Sequence, residues 1–223
     1  MLRRLMTAAL WPLKTLQAAR WRLTRVEPCY FIRDTLTAQS IVVDCGLGPD
    51  ADFSQAIIRR YGCICHGFDP TRRHQRSLSA VCDQYPSRFR LYPYAVAGTS
   101  GVVTFYENPS QVSGSVCSGH INVRCGAAEC YEVRAVTLTG LMDTVGSSVI
   151  DLLKLDVEGC EYEVLAGLSP ALAARIPQLV VEFHHHCITG VRGSATRQTI
   201  GHLADLGYAS YTRDGLNYLF FQG

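Results

Sequence analysis

No Cys-x-x-Cys pair occurs in this sequence, although 10 of its 223 residues are cysteine. A zinc ribbon therefore has no ligand framework. Cys45, Cys63, Cys65, Cys160 and Cys187 fall within or beside expected strands and turns, where a free cysteine acts as a small buried hydrophobe. That distribution favours a reduced, cytoplasmic protein over a disulfide framework. A bilayer-spanning run is also missing: Leu5 to Leu13 is too short, and Pro12 interrupts it. Internal repeats and low-complexity tracts are absent too, so nothing points to a repeat architecture.

Charge of one sign is not in large excess, the formal net charge being +2, but it is unevenly spread. Arg3, Arg4, Lys14, Arg20, Arg22 and Arg25 precede the first acid, Glu27, and the remainder carries 15 basic and 19 acidic residues. A mildly acidic body disfavours a duplex nucleic-acid binder, which would spread positive charge over its core. Met1 to Arg25, with Trp11 and Trp21, reads as a helix packed on the body or lying at an anionic membrane surface, in preference to a secretory signal. We accordingly divide the chain into a basic helical extension, residues 1–36, and one domain, residues 37–223. With 48% hydrophobic residues, the chain can bury a core without staples.

What is present is most informative at Ile41-Val42-Val43-Asp44-Cys45-Gly46-Leu47-Gly48. A β-branched run ending in an acid and two glycines predicts a buried strand feeding a tight turn, whose amides open a helix N-terminus and suit a nucleotide-like ligand. A side chain at either glycine would block positive φ or keep the backbone from the ligand. Asp44 is placed to accept from the turn amides or from a ligand ammonium group. Ala51 to Tyr61 carries Phe53, Ala56, Ile57 and Tyr61 at helical spacing, with Arg59 and Arg60 on another face. A second strand, Cys63 to Phe68, then delivers Asp69 where a βαβ unit presents an acid to ribose hydroxyls.

Leu152-Leu153-Lys154-Leu155-Asp156 predicts another buried strand, and Tyr162, Val164, Leu165 and Leu168 the apolar side of the helix after it. Lys154, Asp156, Glu158 and Glu161 crowd this junction. A solvated helix start accounts for Glu161 and Glu163, since acids favour the positive end of the dipole, but not for Lys154 and Asp156. Leu179 to Cys187 reads as a fifth strand, with Glu182, His184 and His186 on one face and Phe183 and His185 on the other. Its imidazoles and thiol, with Asp156 and Glu182, are also candidate metal ligands.

Between these halves, Phe89 to Val96 reads as the third strand and Val102 to Tyr106 as an added one after a Gly98–Gly101 turn. From Glu107 to Cys130, where serine, glycine and asparagine accumulate, the pattern predicts a lid or acceptor-binding loop. Thr199 to Leu206 reads as a helix, and Gly207–Tyr211 and Leu216–Phe221 as a closing hairpin around Asp214-Gly215.

The phrases "DLLKLDVEGCEYEVL", "VVDCGLG", "GFDP" and "LVVEFHHH", in this order and spacing, resemble the FkbM family of S-adenosylmethionine-dependent methyltransferases. The resemblance runs from about Gln39 to the C-terminus. It implies an α/β fold with a Rossmann-like seven-stranded sheet, mostly parallel with an antiparallel C-terminal hairpin, and helices on both faces. It also implies S-adenosylmethionine as methyl donor and a hydroxyl on a small molecule or glycan as acceptor. By the same resemblance Asp44, Gly46 and Gly48 go to the methionine part of the cofactor, Asp69 to its ribose and Asp156 near the sulfonium, with Cys45, Leu47 and Phe53 also expected among the cofactor-binding residues. Thr137 to Leu141 stands where the family often has an Asp pair.

Such chemistry needs in-line orientation and removal of the hydroxyl proton. His184 is the expected proton acceptor, positioned with the acceptor by Asp156 or Glu158; a divalent metal is left open. Two other readings stand beside this one. Gly46 to Ala51 also satisfies Gly-x-Gly-x-x-Ala of an NAD(P)-binding oxidoreductase, which Asp44 opposes because a carboxylate beside the diphosphate repels. The other is a methyltransferase fold that binds cofactor without turnover.

Overall fold

The structure, a computed structural model, describes residues 14–26, 28–32, 34–124 and 128–222. The run Leu5 to Leu13, with Arg3, Arg4, Trp11 and Pro12, lies outside them. Residues 14–20 form a helix, α1. The helical reading stops there, because Leu23–Val26 (β1) and Cys29–Ile32 (β2) pair as an antiparallel hairpin. Alternating burial explains the hairpin: Cys29 and Phe31 are buried beneath it, and Ile32 N donates to Gln178 Oε1 at 2.8 Å.

The main sheet is built from Ile41–Cys45 (β3), Ile64–Phe68 (β4), Phe89–Tyr92 (β5), Leu152–Leu155 (β9), Gln178–Glu182 (β10), Ala209–Thr212 (β11) and Asn217–Phe221 (β12). Their order is β11-β12-β10-β9-β3-β4-β5, parallel from β10 to β5 and closed by antiparallel pairing of β12 with β10 and β11. The seven-stranded fold implied by the motifs is therefore the fold observed. Connections run one way from β3 through β4 to β5 and return on its other side at β9, so β3 is the topological switch point, where open α/β sheets bind ligands.

Adjacent residues of each central strand enter opposite layers, as the two-residue period requires. Val43, Leu153 and Val181 face a core formed with Leu138–Val145 (α5), Glu161–Ala166 (α6) and Gly193–Asp205 (α8). Val42, Leu152 and Val180 face Asp52–Tyr61 (α2), Gln75–Gln84 (α3) and the hairpin residue Phe31. The short helices Ile121–Arg124 (α4) and Pro170–Ala173 (α7) complete the set. Thr137 is the N-cap of α5, its side chain accepting from Gly140 N.

Three expectations are corrected. Phe89 to Val96 is not one strand: β5 ends at Tyr92, and beyond Pro93 the pair Ala95–Val96 (β6) enters a separate sheet, β6-β8-β7, with Gly101–Glu107 (β7) and Glu129–Val136 (β8). Strand β8 went unread, although Tyr131, Val133 and Ala135 alternate with the exposed Glu132 and Arg134. The histidine strand ends at Glu182, and Cys187 N turns back to His184 O. Helix α8 starts six residues before the expected Thr199, in a turn whose only buried member is Thr196. No helix among the described residues is long and apolar enough to cross a membrane.

Candidate active site

The carboxyl ends of β3, β4 and β9 meet at a cavity of about 300 Å³ walled by Gly46, Gly48, Asp69, Asp156 and Glu158, with Pro70, Thr71, His74 and Val96. The two glycines have different causes. Gly46 has φ +85°, and a Cβ there would lie 1.8 Å from the Asp156 carbonyl oxygen, so the close approach of β3 and β9 demands it. Gly48 has φ +63° and nothing within 4 Å of an added Cβ. The turn opens into free space on that side.

The turn's acid partner is Asp69 rather than Asp44. Asp69 Oδ2 accepts from Leu47 N at 3.0 Å and Oδ1 from Thr71 N at 2.8 Å, which fixes the carboxylate on the cavity wall. Asp44 is buried behind it, accepting from Ser54 Oγ at 2.7 Å and standing 3.2 Å from Lys154 Nζ. The expectation that Asp44 meets the turn amides or a ligand ammonium group is thereby corrected: its partners are Ser54 and Lys154. Lys154 Nζ also donates to Gly46 O at 2.9 Å and lies 3.3 Å from Asp156 Oδ2. Burial opposes its charge, but Asp44 and Asp156 outweigh burial and hold it protonated. With Asp44 offset, its predicted repulsion of a dinucleotide loses force; the antiparallel closing strands remain the structural argument. Cys45 and Phe53 are core residues away from the cavity wall, and Leu47 packs its side chain near Gly67.

Beyond β9 the chain makes a strained turn, Glu158 at φ +52° and Gly159 at φ +114°. Glu161, at the start of α6, is completely buried, which corrects its reading as a solvated helix start. Its Oε1 accepts from Val157 N and Gly159 N, each at 3.1 Å, and lies 2.9 Å from His184 Nδ1. The other ring nitrogen, Nε2, points between the wall acids, 3.4 Å from Glu158 Oε2 and 3.7 Å from Asp156 Oδ1.

Burial alone would lower the His184 pKa, but the Glu161 hydrogen bond and the charges of Glu161, Glu158 and Asp156 raise it to about 9. Burial pushes the Glu158 carboxyl up, yet the His120 hydrogen bond and the His184 charge leave it below its usual value. Glu182 is pushed up to about 7 by burial and by Asp156. His186 stacks on His184 at 6.3 Å between ring centroids, whereas His185 Nδ1 bonds the Thr196 hydroxyl at 3.0 Å.

Of the site's participants, Glu161 was misread in the sequence and His120 went unread. Glu161 has the signal of an acid in a helix's first turn, but its burial is tertiary. His120, buried and 2.9 Å from Glu158 Oε2, is a lone histidine in a polar loop and carries no spacing signal.

The arrangement can bind a nucleoside-type cofactor along the glycine turn and Asp69, and can take up a proton beside it. Known proteins identify the family. The model of the methyltransferase FkbM domain matches residues 18–209. This chain belongs to the FkbM methyltransferase family. The family is dependent on S-adenosylmethionine, as the motifs implied.

Among relatives of this FkbM-family chain, 31-O-demethyl-FK506 methyltransferase FkbM of Streptomyces tacrolimicus is 25% identical over 202 residues, covering 79% of this chain and 77% of that protein. Hexuronic acid methyltransferase AglP of Haloferax volcanii is 24% identical over 179 residues, covering 75% and 71%. AMB antimetabolite synthetase AmbE of Pseudomonas aeruginosa is 37% identical over 79 residues, only 35% of this chain and 4% of AmbE. A solved methyltransferase FkbM from Methylobacillus flagellatus superposes with TM-score 0.55 at 16% identity, covering 83% of this chain and 44% of that one. At that identity the likeness shows the fold alone.

Asp156, Glu158 and His184 also offer ligand atoms within 4.8 Å of one another, a spacing able to hold a metal ion. Their contacts are equally those of an imidazolium between two carboxylates.

Proposed function

We propose that this chain transfers the methyl group of S-adenosylmethionine to a hydroxyl oxygen on a small molecule or sugar. The observation that carries the proposal is the His184–Glu161 pair, with Nε2 directed between the two carboxylates of the cavity wall. Two distant relatives support the acceptor class by their names, a demethyl-FK506 methyltransferase and a hexuronic acid methyltransferase.

The cavity fits the cofactor: the turn is open at Gly48, Asp69 retains lone pairs toward the space, and Asp156 and Glu158 supply negative charge for a sulfonium. When bound, S-adenosylmethionine supplies an already activated methyl group, so the protein's task is orientation and proton removal. His184 Nε2 takes the acceptor's hydroxyl proton. Glu161 holds Nδ1–H, fixes the ring and balances the imidazolium that forms. At pH 7 a histidine titrating near 9 is neutral in about 1% of molecules, so the resting ring must first lose its own proton. Positive charge seated against Asp156 and Glu158 offsets the acids that retain that proton and brings Nε2 into its accepting form. Peripheral membrane contact through the basic N-terminal segment belongs to the same proposal.

Calorimetric titration with S-adenosylmethionine, S-adenosylhomocysteine and NAD, with and without magnesium, followed by an acceptor screen, tests this. Binding of both adenosyl ligands with methylation of a hydroxyl supports it. Binding without transfer to any acceptor favours a cofactor-binding protein, and transfer to nitrogen or carbon acceptors alone contradicts the reaction.

A further inference from the structure

Glu158 is held in its left-handed conformation by a distant stretch of chain. Ser115 Oγ donates to the Glu158 carbonyl oxygen at 2.6 Å, and His120 Nε2 stands 2.9 Å from its carboxylate Oε2. His120 Nδ1 accepts from the Asn122 amide at 3.3 Å, so its proton sits on Nε2, facing Glu158. The ring is 1% exposed. Its neighbours fasten it to the turn after β10: Ile121 N donates to Cys187 O at 2.8 Å and Thr189 N to Gly119 O at 3.1 Å. The same stretch contributes Val112, Ser113, Gly114 and Val116 to the cavity wall.

Glu158 Oε2 is shared between two imidazoles, His120 at 2.9 Å and His184 at 3.4 Å. We propose that His120 is a positioning residue: it holds the Glu158 carboxylate off the accepting nitrogen of His184, and thereby couples seating of the 108–124 segment over the cofactor cavity to assembly of the proton-accepting corner. Without His120, the Glu158 carboxylate keeps only the Ser113 hydroxyl from this segment and shifts toward the His184 imidazolium, so the hydroxyl of the acceptor loses access to Nε2. The kinetic consequence rests on the methyl-transfer reading; the His120–Glu158 coupling does not.

The test compares His120→Ala, His120→Gln and Glu158→Ala in the full chain, the glutamine placing an amide N–H near the position of Nε2. His120→Ala lowers kcat on the order of tenfold to a hundredfold, a share of what general acid–base catalysis supplies, while KM for S-adenosylmethionine stays within roughly twofold. His120→Gln recovers most of that loss. Unchanged kcat in His120→Ala, or cofactor affinity that falls together with kcat and is not restored by glutamine, overturns the proposal. A second measurement needs no acceptor: thermal unfolding of His120→Ala, Glu158→Ala and the double variant. A shared contact makes the effects non-additive, the second substitution adding little to the first, whereas additive shifts overturn the coupling. A wild-type chain that binds S-adenosylhomocysteine yet methylates nothing sinks the methyl-transfer reading and leaves the double-variant result to decide on His120.

Discussion

Replacing Glu161 by glutamine isolates the contact on which the proposed chemistry depends. Glutamine keeps an oxygen for the Val157 and Gly159 amides but removes the charge that faces His184 Nδ1. The His184 pKa stands at about 9 against an ordinary 6.5, a difference equivalent to about 3 kcal/mol favouring the imidazolium in the folded protein. Because the folded pKa is raised, that stabilisation is complete below pH 6.5 and is lost as pH rises through 9. Glu158 and Asp156 share in that elevation, so Glu161→Gln melts below wild type at pH 6 by at most roughly 6–12 °C, and the gap narrows by pH 10. The kinetic sign follows from the same proton. Wild-type kcat/KM rises with pH toward a limb near 9, and in Glu161→Gln the limb moves down, with a lower plateau because the ring is no longer held. Melting curves and kcat/KM profiles between pH 6 and 10 measure both effects. A pH-independent stability gap, or a kinetic limb that stays in place, refutes the reasoning.

The remaining predictions concern the turn and the ion pair behind it. Gly46→Ala disrupts the meeting of β3 and β9, because its Cβ runs into backbone; Gly48→Ala costs only about 1–2 kcal/mol for positive φ but places a methyl in the cofactor's space, so it melts near wild type and binds S-adenosylhomocysteine weakly. Equal behaviour of the two alanines contradicts this assignment. Lys154→Met leaves Asp44 buried without its counter-ion and destabilises by about 3–5 kcal/mol in denaturant titration, and adding Asp44→Asn restores most of that loss. Chelation with EDTA leaves turnover unchanged; lost activity that magnesium restores would instead give Asp156, Glu158 and His184 to a cation.

Strand β3, its glycine turn and Asp69 were legible because a β-branched run ending in two glycines has few structural meanings, and the following helix and acid fix one of them. The closing strands were legible for the same local reasons, with Gly215 at φ +81° and Asp214 Oδ1 accepting from Leu216 N and Asn217 N. Strand β8 was missed although Tyr131, Val133 and Ala135 alternate with the exposed Glu132 and Arg134, because only Ala135 and Val136 at its end are fully buried and the run follows directly on the polar 107–130 stretch. Within the site, Asp156, Glu158 and His184 were legible as a set, but Asp44 was assigned the wrong partner. Its true one, Lys154, is supplied by an adjacent strand more than a hundred positions away. Glu161 reads as solvated until β10 is seen to deliver His184 onto it, and His120 becomes meaningful only when the 108–124 segment is folded against Glu158. Local pattern thus located the glycine turn, while the electrostatics around His184 came from tertiary pairing.

The central claim is that His184 accepts the acceptor's proton while the cofactor is held by other groups. The most direct measurement is turnover of His184→Ala on the identified acceptor beside its calorimetric affinity for S-adenosylhomocysteine. The account predicts cofactor affinity within roughly threefold of wild type and turnover reduced by about 10² or more; wild-type turnover, or loss of cofactor binding along with activity, contradicts it.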